Sequence, residues 1–224
     1  MLALTDTCQA SIYSRGRLCA CLEPSALGRL RAAAGDQAVA PGSLVHADGE
    51  AAQSVFGLRQ GVVMLFKQLP DRRRQVLSFL YPGDMFGLSD DGRHIATAVA
   101  LTRVGLCRIP LTAAERDPNL ARQLRSVAEA SLADALDHAL TLGRMTARER
   151  VGRFLAETWK RNCCPAELHL PMRIADIGDH LGLRAETVSR CLADLRRAGM
   201  IGPWQCDGFM AVIAPLELTR QFGG

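Results

Sequence analysis

The most informative stretch of this 224-residue chain is Pro171-Met-Arg-Ile-Ala-Asp-Ile-Gly-Asp-His-Leu-Gly-Leu-Arg-Ala-Glu-Thr-Val-Ser-Arg190. Its apolar residues recur at helical spacing on both sides of Leu181-Gly182-Leu183, and a glycine there favours a turn between two helices. Two short helices joined by such a turn are the layout of a helix-turn-helix. The sequence therefore predicts a helix-turn-helix near its C-terminus.

The second predicted helix has two chemically different faces. Val188, Leu192 and Leu195 share its apolar face. The opposite face collects hydrogen-bonding side chains, namely Glu186, Ser189, Arg190 and Arg197. Arginine can donate two bonds to guanine, glutamate can accept from the cytosine amino group, and serine can contact a base or a phosphate. We expect this face to read double-stranded DNA, with Arg190 on a guanine; the alternative is a solvated helix in which Glu186 pairs with Arg190.

Composition narrows the class of protein. The chain is 48% apolar and 22% charged, which is enough apolar material for a globular core. Its first ten residues include Asp6 and lack a signal-peptide pattern, and no stretch stays apolar for about 18 residues. We therefore expect a cytoplasmic protein with no membrane partner, whose eight cysteines are reduced thiols, metal ligands or redox groups. The net charge of +4 is compatible with nucleic acid without requiring it.

The region from about Pro41 to Pro110 breaks into short apolar runs separated by glycine-bearing turns. The runs are Ser54–Leu58, Val62–Gln68, Gln75–Tyr81 and Ile95–Ile109. This spacing predicts an antiparallel roll of strands.

The segment from Asp117 to Met145 contains no proline after Pro118, at its start, and only one glycine. Its periodic residues, three or four positions apart, are Leu120, Leu124, Val127, Ser131, Ala135, Ala139 and Leu142. The pattern predicts one long amphipathic helix. Its small residues Ser131, Ala135 and Ala139 favour the close approach of a second copy, and the alternative is packing against the chain's own roll. Further on, Met200 to Pro215 reads as two short strands around the turn Cys206-Asp207-Gly208.

Three motifs carry a resemblance to a known family. They are Met145-Thr-Ala-Arg-Glu-Arg-Val-Gly-Arg-Phe154, Asp176-Ile-Gly-Asp-His-Leu-Gly-Leu183 and Glu186-Thr-Val-Ser-Arg190. In this order they resemble the bacterial transcription regulators related to the cyclic-AMP receptor protein and to the fumarate and nitrate reduction regulator. The resemblance implies an α+β fold: an N-terminal antiparallel β-roll (a cupin-like jelly roll), a long dimerisation helix and a C-terminal winged helix-turn-helix.

The family pattern also implies a domain division and a set of partners. We expect a cysteine-bearing arm over residues 1–25, a β-roll sensor over 26–116, a dimerisation helix over 117–145 and a winged helix-turn-helix over 146–224. A homodimer would read a palindrome whose half-sites lie one helical turn apart. RNA polymerase is the expected protein partner.

The helix that reads DNA resembles the oxygen-regulator branch of the family. The pattern Glu186, Ser189, Arg190 is similar to that branch, whose half-sites resemble TTGAT, and Thr187 is counted with the DNA contacts. Arg184 stands where relatives usually place a capping serine or threonine. Losing that cap costs about 1 kcal/mol, unless Arg184 reaches a DNA phosphate instead.

The roll departs from the cyclic-nucleotide relatives at the residues that would hold the ligand. Gly83-Asp-Met-Phe-Gly87 resembles the turn before their nucleotide pocket, but Leu88 stands where they have a glutamate for the ribose. The arginine-serine pair for the cyclic phosphate is replaced by roughly His94-Ile95, and isoleucine cannot bind a phosphate. We therefore expect no cyclic nucleotide, although Arg93 lies near enough in sequence to assist one.

The cysteines suggest a different sensor. Cys8, Cys19 and Cys21 lie in the N-terminal arm and Cys107 lies in the last roll strand, and four thiolates suffice for one [4Fe-4S] cluster. The oxygen regulators likewise take three ligands from the arm and one from this strand, although Ser11 stands where their second cysteine is found. The resemblance implies a cluster that favours the DNA-binding dimer and is destroyed by oxygen or nitric oxide. The alternative is Cys107 as a small buried apolar residue, with the arm cysteines incidental or a thiol switch.

The remaining candidates receive no ligand role. The other cysteines, Cys163, Cys164, Cys191 and Cys206, form no group in the sequence, and the histidines are expected at the surface or as caps: His46, His94, His138, His169 and His180. A second alternative is a regulator of this fold without a cluster, which senses nitric oxide through haem or acts through thiols. We expect no enzyme, because the chain lacks a C-x-x-C motif and a glycine-rich phosphate loop.

Overall fold

The computed structural model describes residues 34–162, 164–203, 205 and 209–223, so the predicted arm over residues 1–25 lies outside the described residues. Contacts divide the chain into two compact units. The first comprises residues up to Gln68 together with Leu77–Asp134, and the second comprises Leu69–Val76 together with Ala135–Gly224.

The N-terminal strands form two four-stranded sheets. The strands are β1 Gly35–Val39, β2 Leu44–His46, β3 Ser54–Gln60, β4 Val63–Gln68, β5 Arg74–Leu80, β6 Met85–Phe86, β7 Thr97–Ala100 and β8 Val104–Pro110. One sheet has the order β1-β8-β3-β6 and the other β2-β7-β4-β5. The pairs β1·β8, β3·β8 and β4·β7 are antiparallel. The predicted antiparallel sheet domain is confirmed, but the run Ile95–Ile109, predicted as one stretch, contains two strands, β7 and β8.

The core of the first unit follows from the alternation of side chains along these strands. Fully or nearly fully buried positions come from both sheets: Val39, Phe56, Leu58, Val63, Leu80, Phe86, Ala98, Ala100, Val104 and Leu106. The histidine expectation is wrong for His46 and His94, which are 5% and 4% exposed. Alternation of side chains could have signalled this for His46, which ends β2, but not for His94, which lies outside the strands.

Two helices follow the last roll strand, α1 Leu111–Arg116 and α2 Pro118–Arg144. Leu120, Leu124 and Val127 of α2 are buried in a cluster with Val55, Met85 and Ile109. Packing of α2 against its own roll, the alternative for this helix, is therefore found in its first three turns. Beyond them the side chains from Ser131 to Asp137 are all exposed.

The described part of the second unit contains the end of α2 and four further helices. They are α3 Ala147–Arg161, α4 Ile174–Leu181, α5 Ala185–Arg197 and α6 Pro215–Phe222. Helix α3 begins with a capping box, in which Thr146 accepts from the Glu149 amide and the Glu149 carboxylate accepts from the Thr146 amide. Helix α3 packs on α5 and α6, and α4 packs on α5. A side chain at Gly152 would overlap the Phe222 ring, so only glycine allows α3 and α6 to approach this closely.

The wing differs from the sequence prediction. Strand β10 Phe209–Ala211 pairs antiparallel with β9 Glu167–His169, which precedes the helix-turn-helix. Ile201 makes only an isolated bridge to Val212. Of the two short strands predicted between Met200 and Pro215, β10 is found as a strand, and its ladder partner β9 comes from some 40 residues upstream. No helix among the described residues is both long enough and apolar enough to cross a membrane.

Candidate nucleic-acid interface

The turn between α4 and α5 depends on two glycines. Gly182 ends α4 in the left-handed conformation, with φ of +64°, which favours glycine. Gly182 and Leu183 both donate their amides to the Gly178 carbonyl. A Cβ added at Gly178 would lie 2.6 Å from the Leu183 carbonyl oxygen, so the second helix can turn back on the first only over a glycine.

Asp176 anchors the start of α4 inside the second unit. It is 2% exposed, and its carboxylate accepts from the Arg173 amide at 2.8 Å and from the Arg173 side chain. Arg74 also pairs with Asp176 and donates to Asp179 at 2.7 Å. Burial raises the pKa of the Asp176 carboxyl, but the bonds from Arg173 and Arg74 outweigh burial, so its pKa lies below the ordinary value. The sequence prediction missed this group because Arg74 lies about 100 residues away.

Helix α5 presents the two faces expected of it. Val188 and Leu195 are fully buried and Leu192 is 8% exposed. Glu186, Ser189 and Arg190, on the other side, are all exposed. The structure thus brings these three side chains together on one outward surface, which we call the α5 polar face. Their contacts with bases stay a prediction.

The other predicted contacts are placed around this face. Arg184 is the N-terminal cap residue of α5, is exposed, and makes no side-chain capping bond. Thr187 is half-buried, and its amide donates to the Arg184 carbonyl at 2.9 Å. Arg197 is exposed and pairs with Asp194 on the same helix. Arg173, whose side chain is 76% exposed, was not predicted as a contact although it directly precedes the first helix.

Cys191 is a further residue beside this face. It follows Arg190 directly but is 7% exposed. Burial and the nearby Asp194 carboxylate raise the pKa of its thiol, against a smaller opposite effect of Arg148. The thiol therefore stays protonated at neutral pH.

The loop that departs from the nucleotide-binding pattern is held by its own hydrogen bonds. Ser89 donates to the Asp91 carboxylate and to the Arg93 carbonyl at 2.9 and 2.7 Å. Arg93 donates to the carbonyl of Gly49, between β2 and β3, at 2.7 Å, so its guanidinium is bonded to that segment. Ile95 is exposed.

The cysteines predicted as cluster ligands are not brought together in the part of the chain that the structure describes. Cys8, Cys19 and Cys21 lie outside the described residues. Cys107 lies on β8 opposite Gly57 and Asp36, half-buried against the cluster of Val55 and Ile109. It packs as a small apolar residue, which is the alternative that the sequence left open.

Comparison with known proteins places these features in a family. A model described as "Cyclic nucleotide-binding domain" matches residues 36–116, and one described as "Crp-like helix-turn-helix domain" matches residues 149–218. The chain is similar to the nitrogen fixation regulation protein FixK of Azorhizobium caulinodans, at 39% identity over 180 residues covering 76% of this chain and 73% of that protein. FixK of Bradyrhizobium diazoefficiens is 36% identical over 169 residues, 71% of each chain.

A solved structure agrees with these relatives. The structure of FixK2 from Bradyrhizobium japonicum superimposes with a TM-score of 0.78 and 33% identity, covering 85% of this chain and 98% of that one. The resemblance to the regulators related to the cyclic-AMP receptor protein is therefore confirmed.

The same comparison overturns the expected cofactor. FixK-type proteins, with which the chain shares 35–39% identity, lack an iron-sulfur cluster. The described residues contain no group of three or more cysteine, histidine, aspartate and glutamate side chains able to hold a metal ion. The expectation of a [4Fe-4S] cluster on Cys8, Cys19, Cys21 and Cys107 is therefore wrong; among the described residues Cys107 packs beside Val55 and Ile109 and belongs to no group of metal-binding side chains.

The family assignment rests on both ends of the molecule, since the roll and the helix-turn-helix each match their own model. The relatives are transcription regulators that bind DNA and act as dimers. The chain belongs to the Crp/Fnr family of DNA-binding transcription regulators and is similar to its FixK-type nitrogen fixation regulators.

Proposed function

We propose that this chain is a homodimeric transcription activator that reads a TTGAT-like palindrome and works without an iron-sulfur cluster. The observation that carries the proposal is the α5 polar face, in which Glu186, Ser189 and Arg190 are exposed over a buried apolar face. At this spacing Arg190 can donate to the guanine and Glu186 can accept from the cytosine amino group of the G·C pair in the half-site. The proposed domains are the sensor over 26–116, the dimerisation helix over 117–145 and the DNA-binding domain over 146–224.

Phosphate contacts would fix the register of α5 on the duplex. Arg184 at the start of the helix and Arg197 near its end are both exposed, and Thr187 lies between them. Cations at these positions favour the DNA backbone without reading its sequence. We assign Arg184, Thr187 and Arg197 to positioning and the α5 polar face to base recognition.

The dimer interface is proposed to lie on the second half of α2. Leu132, Leu136 and Leu140 recur at steps of four and are 60 to 62% exposed. Three exposed leucines on one face are typical of a helix that pairs with another helix. The small residues Ala135 and Ala139 lie between them and allow a close approach. A two-fold pair of α2 helices would present two copies of α5 to one palindrome.

The proposal also names a protein partner and a group that senses the redox signal. RNA polymerase is the proposed protein partner, since the relatives include activators. A thiol is the proposed redox input in place of a cluster. Cys191 is not the candidate, because its thiol is buried and its pKa is raised, and both properties slow the reaction with oxidants. The candidate thiols are Cys8, Cys19 and Cys21 of the N-terminal arm.

The experiment that tests the proposal is a fluorescence anisotropy titration of the full-length chain at one fixed salt concentration. The probes are a duplex with two TTGAT half-sites and a duplex of the same composition in scrambled order. We expect tight binding of the palindrome only, and Arg190→Ala should weaken it by at least about 10-fold, since one bidentate pair carries about 1 to 3 kcal/mol of discrimination.

The matched control is Arg122→Ala, which removes an exposed arginine from the first half of α2. It should leave palindrome binding unchanged. Equal affinity of the wild type for both duplexes, or unchanged palindrome binding by Arg190→Ala, would contradict the proposal.

A further inference from the structure

One end of the roll interior carries polar side chains. Alternation along β8 places Arg108 on the same face as Val104 and Leu106, which are 1% and 0% exposed. Nε of Arg108 donates to the hydroxyl of Ser54 at 3.0 Å, and Ser54 is itself buried. The Nη atoms of Arg108 have no hydrogen-bond partner among the described residues. Two donors of this guanidinium are therefore available on the inward face of the sheet.

Two buried histidines have unpaired ring nitrogens. His46 and His94 are 5% and 4% exposed, and their rings stack with centroids 3.7 Å apart. Both ring nitrogens of His46 and Nδ1 of His94 are buried without a hydrogen-bond partner in the described part of the chain. The backbone of Ala47 and Ala96 approaches His46 without reaching hydrogen-bond geometry. Buried polar atoms are normally paired, so three unpaired nitrogens in two adjacent rings point to a polar partner in the space beside them.

The arginine and the two histidines line one cavity of about 330 Å³. Its inner part is formed by buried side chains, those of His46, His94, Ser54 and Phe56. Its rim is formed by exposed residues, namely Glu50, Ala51, Gln53 and Arg108. The cavity therefore has a charged rim and an inner end with hydrogen-bonding nitrogens. Pockets that hold small organic molecules begin at about 300 Å³.

This cavity differs from the site expected for a cyclic nucleotide. Neither the turn Gly83–Gly87 nor Leu88 lines it, and of the residues that replace the phosphate-binding pair only His94 does. Its other walls come from β1, β2, β3 and β8 and from the segment between β2 and β3. The cyclic-nucleotide pattern therefore does not describe a ligand for this cavity.

The rim favours a ligand with a single negative charge. The Nη atoms of Arg108 can donate two parallel hydrogen bonds to one carboxylate, a geometry that suits a guanidinium. Glu50 lies on the same rim, and its carboxylate accepts from the Ala47 amide at 2.8 Å. A second negative charge on the ligand would be repelled by the Glu50 carboxylate. The rim therefore favours a monocarboxylate over a dicarboxylate or a phosphate ester.

The inner end favours a hydroxyl group on the ligand. An imidazole carries at least one N–H donor whether it is neutral or protonated, and a neutral imidazole also offers an acceptor nitrogen. A hydroxyl both donates and accepts, so one hydroxyl can pair with both rings. Val45 and Phe56 also line the cavity and supply apolar contacts. The volume suits a ligand of roughly ten non-hydrogen atoms, because one water occupies about 30 Å³ in the liquid.

We propose that the first unit binds a small organic monocarboxylate of roughly ten non-hydrogen atoms whose far end carries a hydroxyl group. Arg108 binds the carboxylate at the rim, and the imidazoles of His46 and His94 bind the hydroxyl at the inner end. Glu50 disfavours doubly charged anions. The site is separate from the DNA-binding function proposed above and uses none of its residues.

The test is isothermal titration calorimetry of the full-length chain with 4-hydroxybenzoate, a rigid acid of this size. Two further ligands nearly keep its shape, since 4-hydroxybenzamide removes the charge and benzoate removes the hydroxyl. We expect one molecule of 4-hydroxybenzoate per chain, with a Kd of about 1 mM or lower. The amide and benzoate should each bind at least about 10-fold more weakly, because each leaves a polar group of the site unpaired.

Two variants separate the two ends of the site. Arg108→Gln should lower the affinity for 4-hydroxybenzoate at least about 10-fold and leave the affinity for the amide unchanged. His46→Phe keeps a ring beside Phe56 and Phe86 but removes both nitrogens, so it should lose most of the preference for 4-hydroxybenzoate over benzoate. The matched control is Arg103→Gln, at an exposed arginine just before β8, which should bind as the wild type does.

Several outcomes would overturn the proposal. They are a Kd for 4-hydroxybenzoate above about 1 mM, equal affinity for the acid and its amide, or unchanged affinity in Arg108→Gln. A preference for the hydroxyl that persists in His46→Phe would contradict the role of the imidazoles. Displacement of bound 4-hydroxybenzoate by cyclic AMP would assign the cavity to a nucleotide and would overturn the proposal as well.

Discussion

The two halves of α2 differ in where their apolar side chains are buried. In the first half Leu120, Leu124 and Val127 are covered by the roll of the same chain. In the second half Leu132 and Leu136 are exposed, although they are equally apolar and lie on the same helix. The chain thus buries the apolar side chains of the first half itself and leaves those of the second half exposed, as the proposed dimer interface requires. Two charged groups of the helix-turn-helix differ in the same way. The Asp176 carboxylate is paired with arginines of the same chain, whereas the Arg184 side chain is exposed and makes no capping bond.

The largest effect is expected from Leu136→Glu in the exposed half of α2. Two copies of the carboxylate would face each other across the proposed interface, so the dimer should be lost at micromolar concentration. Because a monomer engages only one half-site, affinity for the palindrome should fall by about 100-fold or more. Sedimentation equilibrium and anisotropy titration measure the two effects.

The control for this prediction is Leu216→Glu, the same substitution at a leucine of α6 that is 84% exposed. It should leave both the dimer and DNA binding intact. A dimer that persists in Leu136→Glu would show that the exposed leucines of α2 do not form the interface.

A substitution in the buried half of α2 should lower the free energy of unfolding rather than weaken the dimer. Leu124→Ala removes a side chain that is 6% exposed, and we expect the roll to lose about 2 to 5 kcal/mol of unfolding free energy while the dimer persists. Urea denaturation of the full chain measures the loss. Leu77→Ala, at a half-exposed position of β5, serves as control and should cost about 0.5 kcal/mol or less. A larger loss in Leu77→Ala than in Leu124→Ala would contradict the assignment of the core.

A smaller effect is expected from the paired carboxylate. Asp176→Asn weakens its bonds to Arg173 and Arg74, at a cost of about 1.5 to 3 kcal/mol at pH 7. Because the pKa of Asp176 is lowered in the folded state, its contribution is complete above the ordinary Asp pKa of about 4 and is lost as pH falls through the folded value. Denaturation at pH 7 and pH 3 should therefore show the gap between wild type and variant closing at the lower pH.

The control for the carboxylate is Asp194→Asn, whose side chain is 43% exposed in its pair with Arg197. Exposed pairs contribute about 0 to 1 kcal/mol, so this variant should be nearly neutral at both pH values. A difference in unfolding free energy between the wild type and Asp176→Asn that stays constant with pH would contradict the pairing of Asp176 with Arg173 and Arg74.

The smallest effect is expected at the exposed cap. Arg184→Ser should add about 1 kcal/mol to the stability of the second unit, because serine can cap α5. It should also weaken binding to every duplex equally and reduce the salt dependence, since a phosphate contact carries no sequence information. Arg184→Lys keeps the charge and should retain binding without the gain in stability. Sequence-dependent loss in Arg184→Ser would identify Arg184 as a base contact instead.

The helices whose signal is local could be predicted from the amino-acid sequence alone. The glycine at position 182 and the spacing of Val188 and Leu192 predicted both helices of the helix-turn-helix and the faces of α5. Periodicity likewise predicted α2 to within a residue at each end. These features depend on neighbours three or four residues apart, which a sequence displays directly.

Features that join distant residues could be seen only in the folded structure. Strand β9 as partner of β10, Arg74 on Asp176, the stacking of His46 on His94 and the apolar setting of Cys107 all link positions tens of residues apart. Periodicity reports that a face is apolar but not what covers it, so it could not separate the buried leucines of α2 from the exposed ones. Burial depends on which segments meet in space, and that is fixed by the packing of the whole chain rather than by local pattern.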